Sequence, residues 1–178
     1  MNIVLIGYRC SGKTAVGKIL ARRLGTDFLD TDRLIEEESG SSIQGLTLAK
    51  GWGHFREMEK SVIEKVTGKD NLVIATGGGV VMDEENVTNL KRNGWIVWLK
   101  ADAATIKDRM RKEQRSGNVR PSLTGSDPLE EIEHVLNLRT ALYEKAGDLT
   151  VNTSAYCPRE VADLIMEGLS LKSKGKDK

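Results

Sequence analysis

The sequence predicts a three-layer α/β/α sandwich in which a five-stranded parallel sheet lies between two layers of helices. Three features indicate this class. Short apolar runs alternate with segments of helical periodicity along the chain, which is the pattern of consecutive βαβ units. The apolar runs are mostly continuous, as expected for strands buried on both faces. A length of 178 residues suits one domain with a substantial core.

Composition and charge exclude several classes of function. The formal net charge of +1 gives no case for a nucleic-acid partner. No apolar run has membrane length, and the N-terminal segment fits a core strand better than a signal peptide. Two cysteines, Cys10 and Cys157, make neither a disulfide framework nor a zinc spacing. We expect a cytoplasmic monomer with one domain over residues 1–170 and a basic, disordered tail over residues 171–178.

The first predicted strand, residues 2–6, leads through a glycine-rich turn into a helix that ends at Leu24. The turn fits the phosphate-binding pattern Gly-x-x-x-x-Gly-Lys-[Ser/Thr]. Its glycines let backbone N–H groups converge on phosphates, and the start of the helix adds a positive dipole end. Lys13 would supply a cation, and the Thr14 hydroxyl could hold Mg²⁺. A chance Gly-Lys-Thr turn is the alternative, and the strand–turn–helix context disfavours it. The candidate nucleotide-binding residues here are Cys10, Ser11, Gly12, Lys13, Thr14 and Ala15.

Cys10 allows two interpretations. It either fills the loop as a small side chain or is a reactive thiol near Lys13 and the start of the helix.

The second predicted strand, residues 26–32, ends in two carboxylates. Asp30 and Asp32 alternate along an extended segment, so both should point to one face at the sheet edge that carries ligands. One carboxylate could hold Mg²⁺ through water, and the other could accept a proton from a substrate hydroxyl. The alternative is that Asp32 or Thr31 caps the following helix, residues 33–38. The nearby phosphate loop favours the functional interpretation.

Two helices should follow, over residues 42–50 and 52–66, with a break at Gly51. Arg56 and Glu59 are i,i+3 neighbours in the second helix and can pair. That pair is either an exposed ion pair of little consequence or a means of holding a guanidinium rigid for a substrate carboxylate.

The third strand, residues 72–76, runs straight into Gly77, Gly78 and Gly79. Three glycines at the carboxyl end of a central strand indicate close approach of the backbone to a ligand. A flexible turn is the alternative, although one or two glycines would already supply it.

The rest of the chain continues the alternation of helices and strands. The predicted elements are a helix over 83–92, a strand over 94–99, a helix over 102–113, a helix over 128–146, a strand over 149–153 and a helix over 159–169 opened by Pro158. Between them lies a long polar loop, and loops of this length in compact domains are often lids. We expect a mobile lid over about 112–127, in which Arg120 could close onto a transferring phosphoryl group. A surface loop with a solvated arginine is the alternative.

Together these motifs resemble the shikimate kinase family, which has a P-loop fold like that of nucleoside monophosphate kinases. The matching pieces are Gly7 to Thr14, Asp30-Thr31-Asp32, Phe55-Arg56-x-x-Glu59, Gly77-Gly78-Gly79, Arg120-Pro121 and Arg139-x-x-x-Tyr143. The phosphate loop alone occurs in many functions, whereas the other pieces in this order are far more specific. The likeness extends from Ile3 to about Leu169.

The resemblance implies transfer of the ATP γ-phosphoryl group to the 3-hydroxyl of shikimate, with Mg²⁺, in aromatic amino-acid biosynthesis. Lys13 and Thr14 would hold the phosphates and the metal, with Asp30 assisting the metal through water. Asp32 would hold the attacking hydroxyl and act as base. The other implied shikimate contacts are Arg56 and Arg139 at the carboxylate, Glu59 orienting Arg56, and the backbone of Gly77, Gly78 and Gly79. The implied nucleotide contacts are Arg120 at the phosphates, Arg109 on adenine, and the loop before Pro158 as the other adenine wall.

The sequence departs from the family pattern at Cys10, where glycine or alanine is common, and at Trp52, where an acidic residue is common. Two other functions remain open. One is a different small-molecule kinase of the same fold, such as a gluconate kinase. The other is a nucleotide-dependent binding protein without turnover, which should lack Lys13, Asp32 or Arg120, and all three are present.

Overall fold

Five parallel strands form one sheet in the computed structural model, which describes residues 1–115 and 122–174. Their order across the sheet is β2-β3-β1-β4-β5. The strands are Asn2–Ile6 (β1), Asp27–Asp30 (β2), Leu72–Ala75 (β3), Gly94–Lys100 (β4) and Leu149–Asn152 (β5). All strand pairs are parallel, which confirms the predicted architecture.

Helices connect the strands and cover both faces of the sheet. They are Lys13–Leu24 (α1), Thr31–Ser39 (α2), Ile43–Thr67 (α3), Glu84–Asn93 (α4), Ala103–Arg115 (α5), Ile132–Ala146 (α6) and Pro158–Lys174 (α7), with a 3₁₀ turn at Val80–Met82. Within α3, Gly51 has φ 83° and ψ 168°, a conformation that strongly favours glycine. The two helices predicted on either side of this glycine are therefore confirmed.

The central strand β1 shows how the layers are built. All five of its residues are buried. Val4 and Ile6 pack in a core with α3, α4 and α6, whereas Ile3 and Leu5 pack in a second core with α1 and α7. Side chains on a strand point alternately to opposite faces, so one apolar pentapeptide supplies both cores.

The junction between β2 and α2 differs from the sequence prediction. β2 ends at Asp30 and α2 begins at Thr31, so Asp32 lies in the first turn of a helix and not on a strand. Asp30 is the capping residue, and its Oδ1 accepts a hydrogen bond from Asp32 N at 3.2 Å. The prediction of alternating aspartates was wrong, as was a cap by Asp32 or Thr31. A carboxylate at this position satisfies an N–H group that the helix leaves unpaired.

Two helices of the second half also have different bounds. α6 begins at Ile132, later than expected, and α7 continues to Lys174, so residues 171–174 are helical and do not form a tail. Residues 175–178 lie outside the described part. Within that part, no helix combines the length and apolarity needed to cross a bilayer.

Candidate active site

A cleft of about 1220 Å³ lies at the carboxyl edge of the sheet. It is lined by all the predicted site residues that the structure describes, and these come from widely separated parts of the chain. They are Cys10, Ser11, Gly12, Lys13, Thr14, Ala15, Asp30, Asp32, Arg56, Gly77, Gly78, Gly79, Arg109, Arg139 and Pro158. Arg120, the predicted lid arginine, lies outside the described residues.

The glycine-rich loop has a backbone that its two motif glycines make possible. Gly7 has φ 142°, and a Cβ there would overlap the carbonyl oxygen of Leu99. Gly12 has φ 99° and directly precedes α1. Residues other than glycine rarely adopt such φ angles. The loop therefore wraps tightly into the helix N-terminus, the geometry that binds anions.

Lys13 and Ser11 place polar atoms inside this loop. Lys13 Nζ donates hydrogen bonds to the carbonyl oxygens of Gly7 at 2.7 Å and Tyr8 at 2.8 Å, so the ammonium group lies over the loop. Ser11 is fully buried, and its hydroxyl has no hydrogen-bond partner among the described residues. An orphaned buried hydroxyl is costly unless a ligand satisfies it, and phosphate oxygens would do so.

Thr14 and Asp30 meet at the start of α1. The Thr14 hydroxyl donates a hydrogen bond to Asp30 Oδ2 at 2.9 Å. Among the residues described, no group of three or more histidine, cysteine or acidic side chains forms a ready-made metal site. A pair of hard oxygen ligands fits Mg²⁺, which usually takes one or two protein ligands and completes its shell with water and substrate phosphates.

Gly77 lies between two carboxylates. A Cβ on Gly77 would lie 2.8 Å from Asp32 Oδ1 and 2.7 Å from Glu59 Oε1, so any larger residue there would displace these carboxylates. Gly77 N also donates to the Thr31 hydroxyl at 3.1 Å. The end of β3 is thereby locked to the first turn of α2, and Asp32 faces the glycine run even though it is helical.

Arg56 is held by a buried carboxylate. Its Nη1 donates to Glu59 Oε2 at 2.6 Å, and the Glu59 side chain is only 1% exposed. Burial raises the pKa of Glu59 above its ordinary value, although the charge of Arg56 and its hydrogen bond act in the opposite direction. The guanidinium carbon also lies 5.1 Å from the Phe55 ring centroid and 5.7 Å from that of Trp52. This pair is therefore not an exposed ion pair, and it fixes a cation in the cleft.

The glycine run reaches both predicted carboxylate-binding arginines. A Cβ on Gly79 would overlap the Arg56 guanidinium. Arg139, which is buried, donates from Nη1 to Gly78 O at 3.0 Å, and the Tyr143 hydroxyl donates to the same oxygen. Burial raises the pKa of Tyr143 to about 12, so this hydroxyl remains a donor near neutral pH. Two guanidinium groups thus meet at one short backbone segment.

Arg109 connects two walls of the other half of the cleft. Its Nη1 donates to Cys10 O at 3.2 Å, and its Nη2 donates to Thr153 O at 2.6 Å. It therefore ties the glycine-rich loop to the segment between β5 and α7, where Pro158 begins the last helix. Arg109 and Pro158, the two residues expected near a nucleotide base, therefore both line this half of the cleft.

Arg9 and Glu131 form an ion pair that the sequence did not predict. Arg9 Nη2 lies 3.5 Å from Glu131 Oε1, and their side chains are 9% and 1% exposed. Arg9 stands at a variable position of the motif, and Glu131 precedes a helix without any recognisable pattern. The sequence therefore offered no signal that could have paired them.

The chain is similar to shikimate kinases along nearly its whole length. A family model described as shikimate kinase matches residues 9–170. The sequence is 41% identical over 169 residues to a shikimate kinase of Symbiobacterium thermophilum, covering 95% of this chain and 96% of that one. A solved shikimate kinase from Acinetobacter baumannii in complex with shikimate superposes with a TM-score of 0.88 at 33% identity, covering 97% of this chain and 94% of that one.

A gluconokinase from Sinorhizobium meliloti shares the fold alone. Its TM-score is 0.59 at 15% identity, and the match covers 98% of this chain and 94% of that one.

Proposed function

This chain belongs to the shikimate kinase family, and on that premise we propose how its residues carry the reaction. It is an ATP-dependent kinase that acts on shikimate, with a P-loop fold. The observation that carries the proposal is one cleft lined by a phosphate-binding loop, an aspartate and two arginines beside a glycine run. Phosphoryl transfer depends mainly on positioning and charge neutralisation, and these groups supply both.

The loop from Gly7 to Thr14 seats the phosphates of ATP. Its N–H groups and the start of α1 face the anion, and Lys13 brings a cation to the β- and γ-phosphates. The orphaned Ser11 hydroxyl supports this assignment because it has a donor to offer. Arg109 and Pro158 form the walls of the adenine site. Arg120 completes the charge neutralisation at the phosphates; it lies outside the described residues, so its family motif alone supports that role.

Thr14 and Asp30 are the residues that would hold Mg²⁺, Thr14 directly and Asp30 through water. Their contact at 2.9 Å supports the pairing. When bound with ATP, Mg²⁺ supplies neutralisation of phosphate charge.

Arg56 and Arg139 grip the carboxylate of shikimate. Guanidinium groups recognise carboxylates through paired, charge-assisted hydrogen bonds. Glu59 fixes Arg56, and Gly78 fixes Arg139, so the two cations are preorganised. The ring of shikimate can approach the backbone closely at Gly77, Gly78 and Gly79.

Asp32 holds the 3-hydroxyl of shikimate and accepts its proton. The hydroxyl oxygen forms a bond to the γ-phosphorus, the bond from that phosphorus to the β–γ bridging oxygen breaks, and ADP leaves with the electron pair. The products are shikimate 3-phosphate and ADP. The position of Asp32 against Gly77, opposite the phosphate loop, supports this role.

The proposal extends to the state and location of the protein. We expect a monomer in the cytoplasm, where ATP is supplied, without a nucleic-acid or membrane partner. The near-neutral charge of the chain supports the first of these exclusions. Sedimentation at micromolar concentration tests the monomer directly, and a dimer peak would contradict it.

A coupled ADP-release assay tests the function. ATP and Mg²⁺ are supplied with shikimate, with gluconate, or with neither acceptor. We expect ADP release that saturates with shikimate and stays at background with gluconate or without an acceptor. Release that does not depend on shikimate would favour a nucleotide-dependent binding protein, and release with gluconate would favour the other kinase class.

A further inference from the structure

Glu131 is a buried carboxylate that the proposed reaction does not use. It lies directly before α6 and is 3% exposed. Its oxygens accept hydrogen bonds from Leu123 N and Thr124 N, each at 2.9 Å to Oε2, and from the hydroxyls of Ser122 at 3.0 Å and Thr124 at 2.9 Å. Burial alone would raise the pKa of Glu131, but these hydrogen bonds hold that pKa below its ordinary value. The side chain is therefore an anion at neutral pH.

The same carboxylate faces the phosphate loop. Its Oε1 lies 3.5 Å from Arg9 Nη2, and the Arg9 guanidinium lies over the Tyr8 ring at 5.7 Å. The backbone of Arg9 is also close to the glycine run, since a Cβ on Gly78 would lie 3.2 Å from Arg9 N. The Arg9 guanidinium is therefore held between Glu131 and the Tyr8 ring, and the Arg9 backbone lies near Gly78.

We propose that Glu131 is a positioning residue for the nucleotide site, acting through Arg9. By holding Arg9 and the segment 122–124 together, Glu131 fixes the shape of the loop from Gly7 to Thr14. The physical reason is that a buried guanidinium needs a compensating charge. Without that charge Arg9 would lose this ion pair, and the rearrangement of its side chain would shift the backbone of the loop. The inference rests on the proposed function only in that this loop binds the nucleotide.

The exposed neighbour Glu130 provides a matched control. We expect Glu131→Gln to weaken ADP binding, measured by calorimetry, and to raise the KM for ATP, each by about tenfold, as coupling between contacting residues allows. The KM for shikimate should change by less than about twofold, because Arg56 and Arg139 have other supports. Glu130→Gln should leave all three values unchanged. If Glu131 had a merely structural role, its substitution would weaken the binding of nucleotide and shikimate equally or would weaken neither. Either result would overturn the proposal.

A double-mutant cycle tests whether Arg9 transmits the effect. Arg9→Met removes the charge and keeps most of the apolar stem. We expect the double variant Arg9→Met/Glu131→Gln to bind ADP much as the Arg9→Met variant does, because the second substitution has nothing left to disrupt. Independent effects of the two substitutions would contradict transmission through Arg9. If Glu131→Gln does not fold, Arg9→Met tests the same ion pair from its other partner. We expect Arg9→Met to weaken ADP binding and to leave the KM for shikimate nearly unchanged. Unchanged ADP binding in this variant would contradict the proposal.

The calorimetric readout separates this inference from the function. ADP binding requires no turnover, so a change confined to Glu131 variants supports the inference by itself. Failure of the proposed function would instead appear in the unaltered protein, as ADP release that shikimate does not stimulate.

Discussion

Single residues set the chemistry of the cleft, and Asp32 has the most demanding assignment. It is the carboxylate of α2 that faces the glycine run, while Asp30 caps the helix and contacts Thr14. Two aspartates separated by one residue therefore have different surroundings and different proposed roles. The proposed function assigns the acceptance of the substrate proton to Asp32 alone.

Substitution Asp32→Asn should remove the base and keep the shape of the side chain. We expect kcat to fall by about 100- to 10,000-fold, the usual contribution of general acid–base catalysis, with the ADP dissociation constant unchanged. Steady-state ADP release and calorimetry measure the two quantities. Near-normal turnover would remove Asp32 from the base role.

Gly79 is a residue whose missing side chain matters, because a Cβ there would overlap the Arg56 guanidinium. We expect Gly79→Ala to displace Arg56 and raise the KM for shikimate by about 10- to 100-fold, the value of a hydrogen bond between charged groups. The KM for ATP should stay the same. Gly53→Ala is the control, since nothing lies within 4 Å of a Cβ at Gly53. Equal effects of the two substitutions would contradict this assignment.

Among the elements, α3 shows how one helix shapes the acceptor half of the cleft. The break at Gly51 places Trp52 at the start of the second helical part, where its ring makes an edge-to-face contact with Phe55 at 5.5 Å. Arg56 follows in the same turn, beside both rings. Trp52 lines the cleft and supplies an aromatic wall there.

This placement makes Trp52 a natural reporter of shikimate binding. The chain has three tryptophans, and Trp95 and Trp98 are each only 4% exposed. Trp52 is partly exposed and lines the cleft. We expect shikimate to change the intrinsic fluorescence of the unaltered protein, and Trp52→Phe to abolish most of that change. If the Trp52→Phe variant kept the full fluorescence change, shikimate would have to bind away from α3.

Local sequence patterns predicted the helices and strands well, but they could not predict which side chains pair across the fold. The strands, the break at Gly51 and the phosphate loop follow from periodicity and from glycine positions. The position of Asp32 was predicted wrongly because a cap by Asp30 decides where the helix begins. The ion pair of Arg9 and Glu131 joins residues far apart in sequence, and only the assembled fold brings them together.

At the scale of the whole molecule, buried charges link stability to pH. Glu131 has a folded-state pKa below its ordinary value of 4.5. A group of this kind contributes stability at pH values above 4.5 and loses that contribution as the pH falls through the lowered folded-state pKa. Its partner Arg9 is nearly as buried, so the charge of Glu131 matters for folding as well as for the loop.

We therefore expect Glu131→Gln to lower the free energy of unfolding by about 3 kcal/mol near pH 7, as is typical when one partner of a buried pair is lost. The difference from the unaltered protein should shrink as the pH falls below 4.5. Urea unfolding at a series of pH values measures this difference. A deficit that stays constant down to low pH would show that the charge of Glu131 is not what stabilises the fold.

The division of the cleft into a nucleotide half and an acceptor half is the claim on which the whole account depends. A crystal structure of the protein with shikimate and ADP tests it most directly. We expect the ring carboxylate within about 3 Å of the guanidinium nitrogens of Arg56 and Arg139, a ring hydroxyl at Asp32, and the ADP phosphates in the loop from Gly7 to Thr14. A ring bound anywhere else, with both arginines facing solvent, would contradict the account.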